Sequence, residues 1–157
     1  MSLIIAIGSN IGDKEKNLFQ VKKILRSKFT YISESPIYES EPVDYINQDY
    51  FYNQLLEFKL PHLSPLQVLD ICQEIETDMG RVKLIDKGPR LIDIDIIFWG
   101  LESLKTKRLT IPHSSWSIRS FIVKPLKHLP YFKILKKSFK IPTSFHSTAK
   151  QIVQKKE

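Results

Sequence analysis

Cysteine is almost absent from this chain. Cys72 is the only one among 157 residues, which excludes an internal disulfide and fits a reducing compartment. Long apolar runs are missing as well. No stretch approaches the ~18 apolar residues of a membrane span, and the opening "MSLIIAIGSN" has no basic leader and too short an apolar run for a signal peptide. The expectation is therefore a soluble, cytoplasmic protein with no membrane partner. No repeat or linker divides the sequence, so residues 1–157 are expected to form a single domain. Acidic residues are the minority charge, 17 against 24 Lys and Arg, for a net +7. That balance favours anionic partners such as nucleic acid, phosphate esters or a nucleotide, or else a merely solvated lysine surface. Much of the excess sits in "KILKKSFK" and "QKKE", which read as a solvated periphery.

What is present alternates strand and helix signals. "LIIAI" (Leu3 to Ile7) reads as a short strand, and a helix follows from Asp13 with Leu18, Val21 and Leu25 at helical spacing. "YISESPIYES" reads as extended and broken at Pro36. "FYNQLLEFKL" places Phe51, Asn53, Leu55 and Glu57 on one strand face and Tyr52, Leu56 and Phe58 on the other. The clearest helix starts at Ser64, with Pro65 at its first position and Gln67 completing a capping box. Its apolar stripe is Val68, Cys72, Ile75 and Met79, and Gly80 ends it. A further strand spans the DIDI stretch, and a helix is expected near Ser117 to Leu126. This order predicts an α+β, ferredoxin-like βαββαβ sandwich: an antiparallel sheet with helices packed on its faces and an extra C-terminal segment.

The stretch "GPRLIDIDIIFWG" holds two carboxylates in an apolar run. Asp93 and Asp95 are two apart on a strand, so they face the same way, roughly 6–7 Å apart along it. Buried carboxylates need partners or metal. Arg81, Lys83, Lys87 and Arg90 precede them; Arg108, His113 and Arg119 follow. Same-face carboxylates ringed by cations suit a magnesium–phosphate site, or a structural set of salt bridges to Arg90 and Arg119.

"IAIGSNIGD", "SEPV", "DYFYNQ", "QEIETDMGR", "GPRLIDIDIIFWG", "LTIPH" and "RSFIVKPL" occur in this order. In these motifs the sequence resembles the 6-hydroxymethyl-7,8-dihydropterin pyrophosphokinases of folate biosynthesis, from about Leu3 to Pro130. The resemblance implies transfer of the β- and γ-phosphates of ATP to the pterin's hydroxymethyl oxygen, leaving AMP. It implies two Mg2+ ions held by Asp93 and Asp95, with ATP as co-substrate. It implies ATP contacts from Gln73, Glu76, Arg81, Arg90, Arg108, Thr110, His113 and Arg119, with Arg81 and Arg90 counted with the aspartates as catalytic. The pterin would lie between Phe51 and Phe121, with Asn53 on its edge and Ser40, Pro42 and Val43 framing it. "GSNIG" matches neither the Rossmann nor the Walker spacing and is expected to be structural, beside the pterin.

The sequence departs from the family in the loop "GRVKLIDKGPR". Lys83 stands where a second arginine is common and Lys87 where a tryptophan would align, and the loop is one residue short. Lysine lacks arginine's bidentate fork. No residue stands out as a general base. Two other functions share parts of this pattern. A ferredoxin-like RNA-binding module would need an aromatic sheet signature that is missing, so no nucleic-acid partner is expected. A metal-dependent nucleotidyltransferase also uses paired aspartates but would release pyrophosphate. Nothing demands more than a monomer.

Overall fold

The computed structural model describes residues 1–42, 47–80 and 89–152. Its elements in chain order are β1 (Ser2–Ser9), α1 (Lys14–Lys28), β2 (Tyr31–Glu34), β3 (Tyr38–Ser40), β4 (Phe51–Lys59), α2 (Pro65–Asp78) and β5 (Asp93–Trp99). A small hairpin follows, β6 (Leu104–Lys105) and β7 (Thr110–Ile111). The chain continues through a 3₁₀ turn at Trp116–Ile118, α3 (Ser120–Leu126), α4 (Phe132–Ser138) and β8 (Lys150–Gln151).

The sheet runs β5-β1-β4-β3-β8, with β2 also paired to β4, and the pairings are antiparallel. The split at Pro36 has a local cause. Proline has no N–H to give a ladder, and Ser35 fills the gap: its backbone N–H donates to Leu55 O, and its hydroxyl accepts from Leu55 N at 2.9 Å.

Alternation along the strands builds two cores. Leu3, Ile5, Ile7, Leu56, Phe58, Ile94 and Ile96 pack against Leu18, Val21 and Leu25 of α1 and Val68, Cys72 and Ile75 of α2. Ile4, Leu55 and Phe98 face the other way, onto Ile122, Leu126 and Leu135 of the C-terminal helices. Each such fully buried Leu or Ile stabilises the fold by about 1.5–3 kcal/mol relative to exposure. Met79 is only partly buried at the end of the α2 stripe. Both main helices are capped as their sequences indicate: Asp13 accepts from Lys16 N, and Ser64 and Gln67 form the full capping box. Gly80 follows at φ +82°, which glycine adopts without Cβ strain.

The C-terminal segment corrects one expectation. The lysines of "KILKKSFK" are exposed, but the stretch is not merely a solvated periphery, because Leu135 of α4 is fully buried and β8 further along extends the sheet; "QKKE" lies outside the described residues. A buried carboxylate helps to seat it. Glu57, 3% exposed, accepts from Ser2 Oγ at 2.9 Å and from Tyr131 N at 3.1 Å, so the start of α4 is tied to β1 and β4. Buried charge is tolerated when it is hydrogen-bonded in this way.

Candidate active site

The register of three strands sets out the site. Gly8 of β1 stands opposite Asp93 of β5 on one side and Asn53 of β4 on the other. Ala6 stands likewise between Asp95 and Leu55. The carboxylate row and the amide row are thus two strands apart, roughly 10 Å, and the smallest residues lie between them. A Cβ on Gly8 would come within 3.3 Å of Asn53 Oδ1 and 3.7 Å of Phe51. Glycine here keeps the floor of the site low. "GSNIG" accordingly lies beside the Asn53 row.

Above that floor is a cavity of about 520 Å³. Its lining brings together Asp93, Asp95 and Arg90, Gln73 and Glu76 from α2, and Arg108 and Thr110 from the hairpin. His113, Arg119 and Phe121 line it too, as do Ser40, Phe51 and Asn53. Pro42 does not line it. Val43 and Arg81, with Lys83 and Lys87, lie outside the described residues.

Arg90 is held among these groups. Its Nη1 meets Asp93 Oδ1 at 3.3 Å, so part of the salt-bridge alternative exists. The pair does not use the whole guanidinium. Among the described residues, Arg90 Nε is a buried side-chain donor with no hydrogen-bond partner. Such orphans cost free energy and need an explanation; an anionic ligand in the cavity supplies one. The Arg90 backbone is fixed by Asn10: Arg90 N donates to Asn10 Oδ1 at 2.7 Å, and Asn10 N donates to Arg90 O at 3.0 Å. The Asn10 amide nitrogen reaches Gln48 Oε1 and Asp49 O. Sequence reasoning missed Asn10, and its only signal was a polar residue in the "GSN" turn.

Glu76 is not a solvated helix residue. It is 5% exposed, and its Oε2 accepts from Ile94 N at 2.9 Å. The helix thereby grips the backbone between the two aspartates. Cys72, one turn earlier on α2, is pushed up to about 12 by burial, then by the nearby Glu76 and Asp95 charges. A thiol so placed is inert.

At the hairpin, Arg108 Nη2 donates to Asp70 Oδ1 at 2.5 Å and to Gln73 Oε1 at 3.2 Å. Asp70 is a second residue that the sequence did not flag, since an exposed helical carboxylate is ordinary. The Ile111–Pro112 bond is cis, and His113 N donates to Ile97 O at 2.9 Å, tying this turn to β5. His113 Nδ1 accepts from Ser115 N at 3.1 Å, which leaves the ring proton on Nε2 in the neutral form. Burial, and then the Arg119 charge, hold the imidazole below its ordinary value of 6.5. Arg119 in turn lies 5.6 Å from the Phe121 ring centroid.

At the other end, Asn53 is 7% exposed. Its Nδ2 donates to Ser40 Oγ at 2.8 Å and Tyr38 O at 3.3 Å. The amide is therefore oriented by β3, with Oδ1 turned toward Gly8. Phe51 and Phe121 are only partly buried and border the cavity, so neither is plain core.

Among the described residues no group of three or more His, Cys, Asp or Glu could hold a metal by itself. Two carboxylates are a donor set suited to magnesium, which usually takes one or two carboxylates and completes its shell with phosphate oxygens and water, and the arginine beside them suits the phosphate.

Comparison with known proteins gives the same direction. The family model described as 7,8-dihydro-6-hydroxymethylpterin-pyrophosphokinase matches residues 4–130. The chain is 38% identical over 127 residues to the 2-amino-4-hydroxy-6-hydroxymethyldihydropteridine pyrophosphokinase of Bacillus subtilis, covering 80% of this chain and 75% of that protein. It is 39% identical over 126 residues to the folic acid synthesis protein fol1 of Pneumocystis carinii, covering 80% of this chain and 17% of that much longer protein. It is 37% identical over 138 residues to the bifunctional protein FolKE of Lactococcus lactis subsp. cremoris, covering 87% and 38%.

Proposed function

The chain belongs to the 7,8-dihydro-6-hydroxymethylpterin-pyrophosphokinase family, and from that premise we propose how its cavity divides the work. The protein transfers pyrophosphate from ATP to 6-hydroxymethyl-7,8-dihydropterin, giving AMP and the pterin diphosphate. The observation that carries the division of labour is one cavity lined both by Asp93, Asp95, Arg90 and His113 and by Phe51, Asn53 and Phe121, with Asp93 and Asn53 on opposite sides of Gly8 in the sheet.

At the carboxylate end, Asp93 and Asp95 would hold two Mg2+ ions. When bound, the magnesium neutralises phosphate charge and lowers the proton affinity of the pterin hydroxyl; no side chain is assigned as general base. Arg90 directs its orphaned Nε–H and the rest of its fork at the phosphates, where a planar donor array is strongest. His113, neutral with its proton on Nε2, donates a hydrogen bond to a phosphate oxygen without adding a full charge. Arg119 and Arg108 contribute charge from the cavity wall. Gln73 and Thr110 border the same end and contact the nucleotide, and Glu76 holds the strand that carries the aspartates. Arg81 completes the arginine set.

At the other end, the pterin stacks between Phe51 and Phe121, an arrangement worth about 0.5–1.5 kcal/mol per aromatic pair beyond burial. Asn53 Oδ1 accepts from the ring edge, its amide fixed by Ser40, and Pro42 and Val43 are kept as pterin contacts on the family resemblance alone. Both substrates then meet over Gly8 and Ala6, and positioning supplies much of the rate.

Residues 1–157 act as one monomeric, cytoplasmic domain on small molecules, without nucleic acid. No described helix is long and apolar enough to cross a membrane. The experiment is incubation with Mg-ATP and hydroxymethyldihydropterin followed by chromatography. AMP and pterin diphosphate are expected; release of inorganic pyrophosphate would favour a nucleotidyltransferase instead.

A further inference from the structure

The family match ends at residue 130, yet the chain beyond it returns to the pterin end of the cavity. Ala149, 1% exposed, is held at both of its backbone groups by α3. Its N–H donates to Ser120 Oγ at 2.8 Å, and its carbonyl accepts from Lys124 Nζ at 2.9 Å. The next two residues, Lys150 and Gln151, pair with Glu39 and Tyr38 of β3. Ile152 N then donates to Ile37 O at 3.0 Å. One short segment thus bridges α3 and the β3 edge.

Both elements carry proposed pterin contacts. β3 supplies Ser40 and the Tyr38 carbonyl, two of the acceptors that orient the Asn53 amide. α3 supplies Phe121, the residue next to Ser120. A second link closes the same gap, since Tyr38 Oη and His128 Nε2, just past α3, are 2.7 Å apart. A buried serine hydroxyl spent on a backbone amide 29 residues away fixes the first turn of a seven-residue helix against a three-residue strand. Neither short element is rigid alone, because a strand or helix of this length has few internal hydrogen bonds to hold it.

We infer that Ser120 is a positioning residue for the pterin, acting with Lys124 through the clasped segment 149–152 to set the spacing of Phe121 from the Ser40–Asn53 pair. Neither side chain needs to touch substrate. The clasp grips no element that bears Asp93, Asp95, Arg90 or Arg108; of the residues proposed at the phosphates, Arg119, the N-cap of α3, adjoins it. This inference rests on the pterin reading of Phe121, Asn53 and Ser40.

The test is steady-state kinetics on the full chain, with KM measured separately for hydroxymethyldihydropterin and for Mg-ATP. Ser120→Ala and Lys124→Met each remove one strand of the clasp, and Phe121→Ala serves as a reference for the pocket itself. Loss of one net hydrogen bond predicts a rise of about fivefold in the pterin KM for each clasp variant, with the ATP KM changed less than about twofold. The double variant should lose little more than either single one, because both act through Ala149. Parallel rises in both KM values together with a fall in Tm would show a generic structural role and overturn the inference. If Phe121→Ala weakens pterin binding and the clasp variants do not, the inference alone fails. If Phe121→Ala leaves the pterin KM unchanged, the pocket reading fails and takes this inference with it.

Discussion

Glu76 reaches across from α2 and accepts the backbone N–H of Ile94 at 2.9 Å, between the two residues that carry the carboxylates. A third acidic side chain beside Asp93 and Asp95 is electrostatically adverse, so its worth lies in what it holds. Glu76→Ala leaves a buried N–H without that acceptor, and the expected loss is about 1–3 kcal/mol of stability. Turnover should fall as well, because the DIDI backbone loses its tether. Glu76→Gln keeps an acceptor oxygen and removes charge, so it should retain most of the stability. Denaturant unfolding of both variants beside AMP formation separates the two duties. Equal destabilisation by Ala and Gln would mean that charge, not the hydrogen bond, is what the site needs.

Gly8 makes a second, geometric prediction. An added methyl there would sit 3.3 Å from Asn53 Oδ1 and 3.7 Å from Phe51. Gly8→Ala should therefore raise the pterin KM several-fold while leaving the ATP KM nearly unchanged. The backbone there is in a strand, so the fold itself should survive. Normal pterin binding by Gly8→Ala would place the pterin elsewhere.

These two residues show what could be read in advance. The strand pattern of "FYNQLLEFKL", the capping box at Ser64 and the same-face pair Asp93 and Asp95 were legible, because period-2 and period-3.6 patterns and caps are local signals. β6, β7 and β8 were not. Strands of two residues have no period, and Lys150 and Gln151 pair through backbone alone, with exposed side chains. α4 was missed because one buried residue, Leu135, is all the core asks of it. Glu76 and Asn10 were not assigned their holding roles because their partners, Ile94 N and Arg90 N, are backbone groups far along the chain.

His113 carries the pH prediction. Burial, with the Arg119 charge behind it, depresses the imidazole below 6.5 in the ligand-free protein. A depressed folded value means that the unfolded chain binds the proton more readily. The stabilising share of His113 is thus complete above about 6.5, the ordinary value for His, and is lost as pH falls through the folded value. His113→Asn, whose Oδ1 can stand in for Nδ1, should flatten that part of the stability–pH curve. An NMR titration of the ring should show it neutral at pH 7, with its titration moved upward when Mg-ATP brings phosphate near. A ring that titrates above 6.5 in the ligand-free protein would contradict the neutral-donor role.

The central claim is that Asp93 and Asp95 are a metal pair rather than a structural charge network. The most direct measurement is single-turnover AMP formation by Asp95→Asn and Asp93→Asn at saturating substrates, across a range of Mg2+ concentrations. Asn preserves shape and removes one metal-binding charge. Changes in the shell around a metal ligand already cost 10–100-fold, so loss of a ligand itself should cost about a hundredfold or more, with the Mg2+ dependence shifted to higher concentration and the fold intact by circular dichroism. If either variant forms AMP at a near-normal rate with an unchanged Mg2+ dependence, the two carboxylates do not hold the metal, and the site has been misread at its centre.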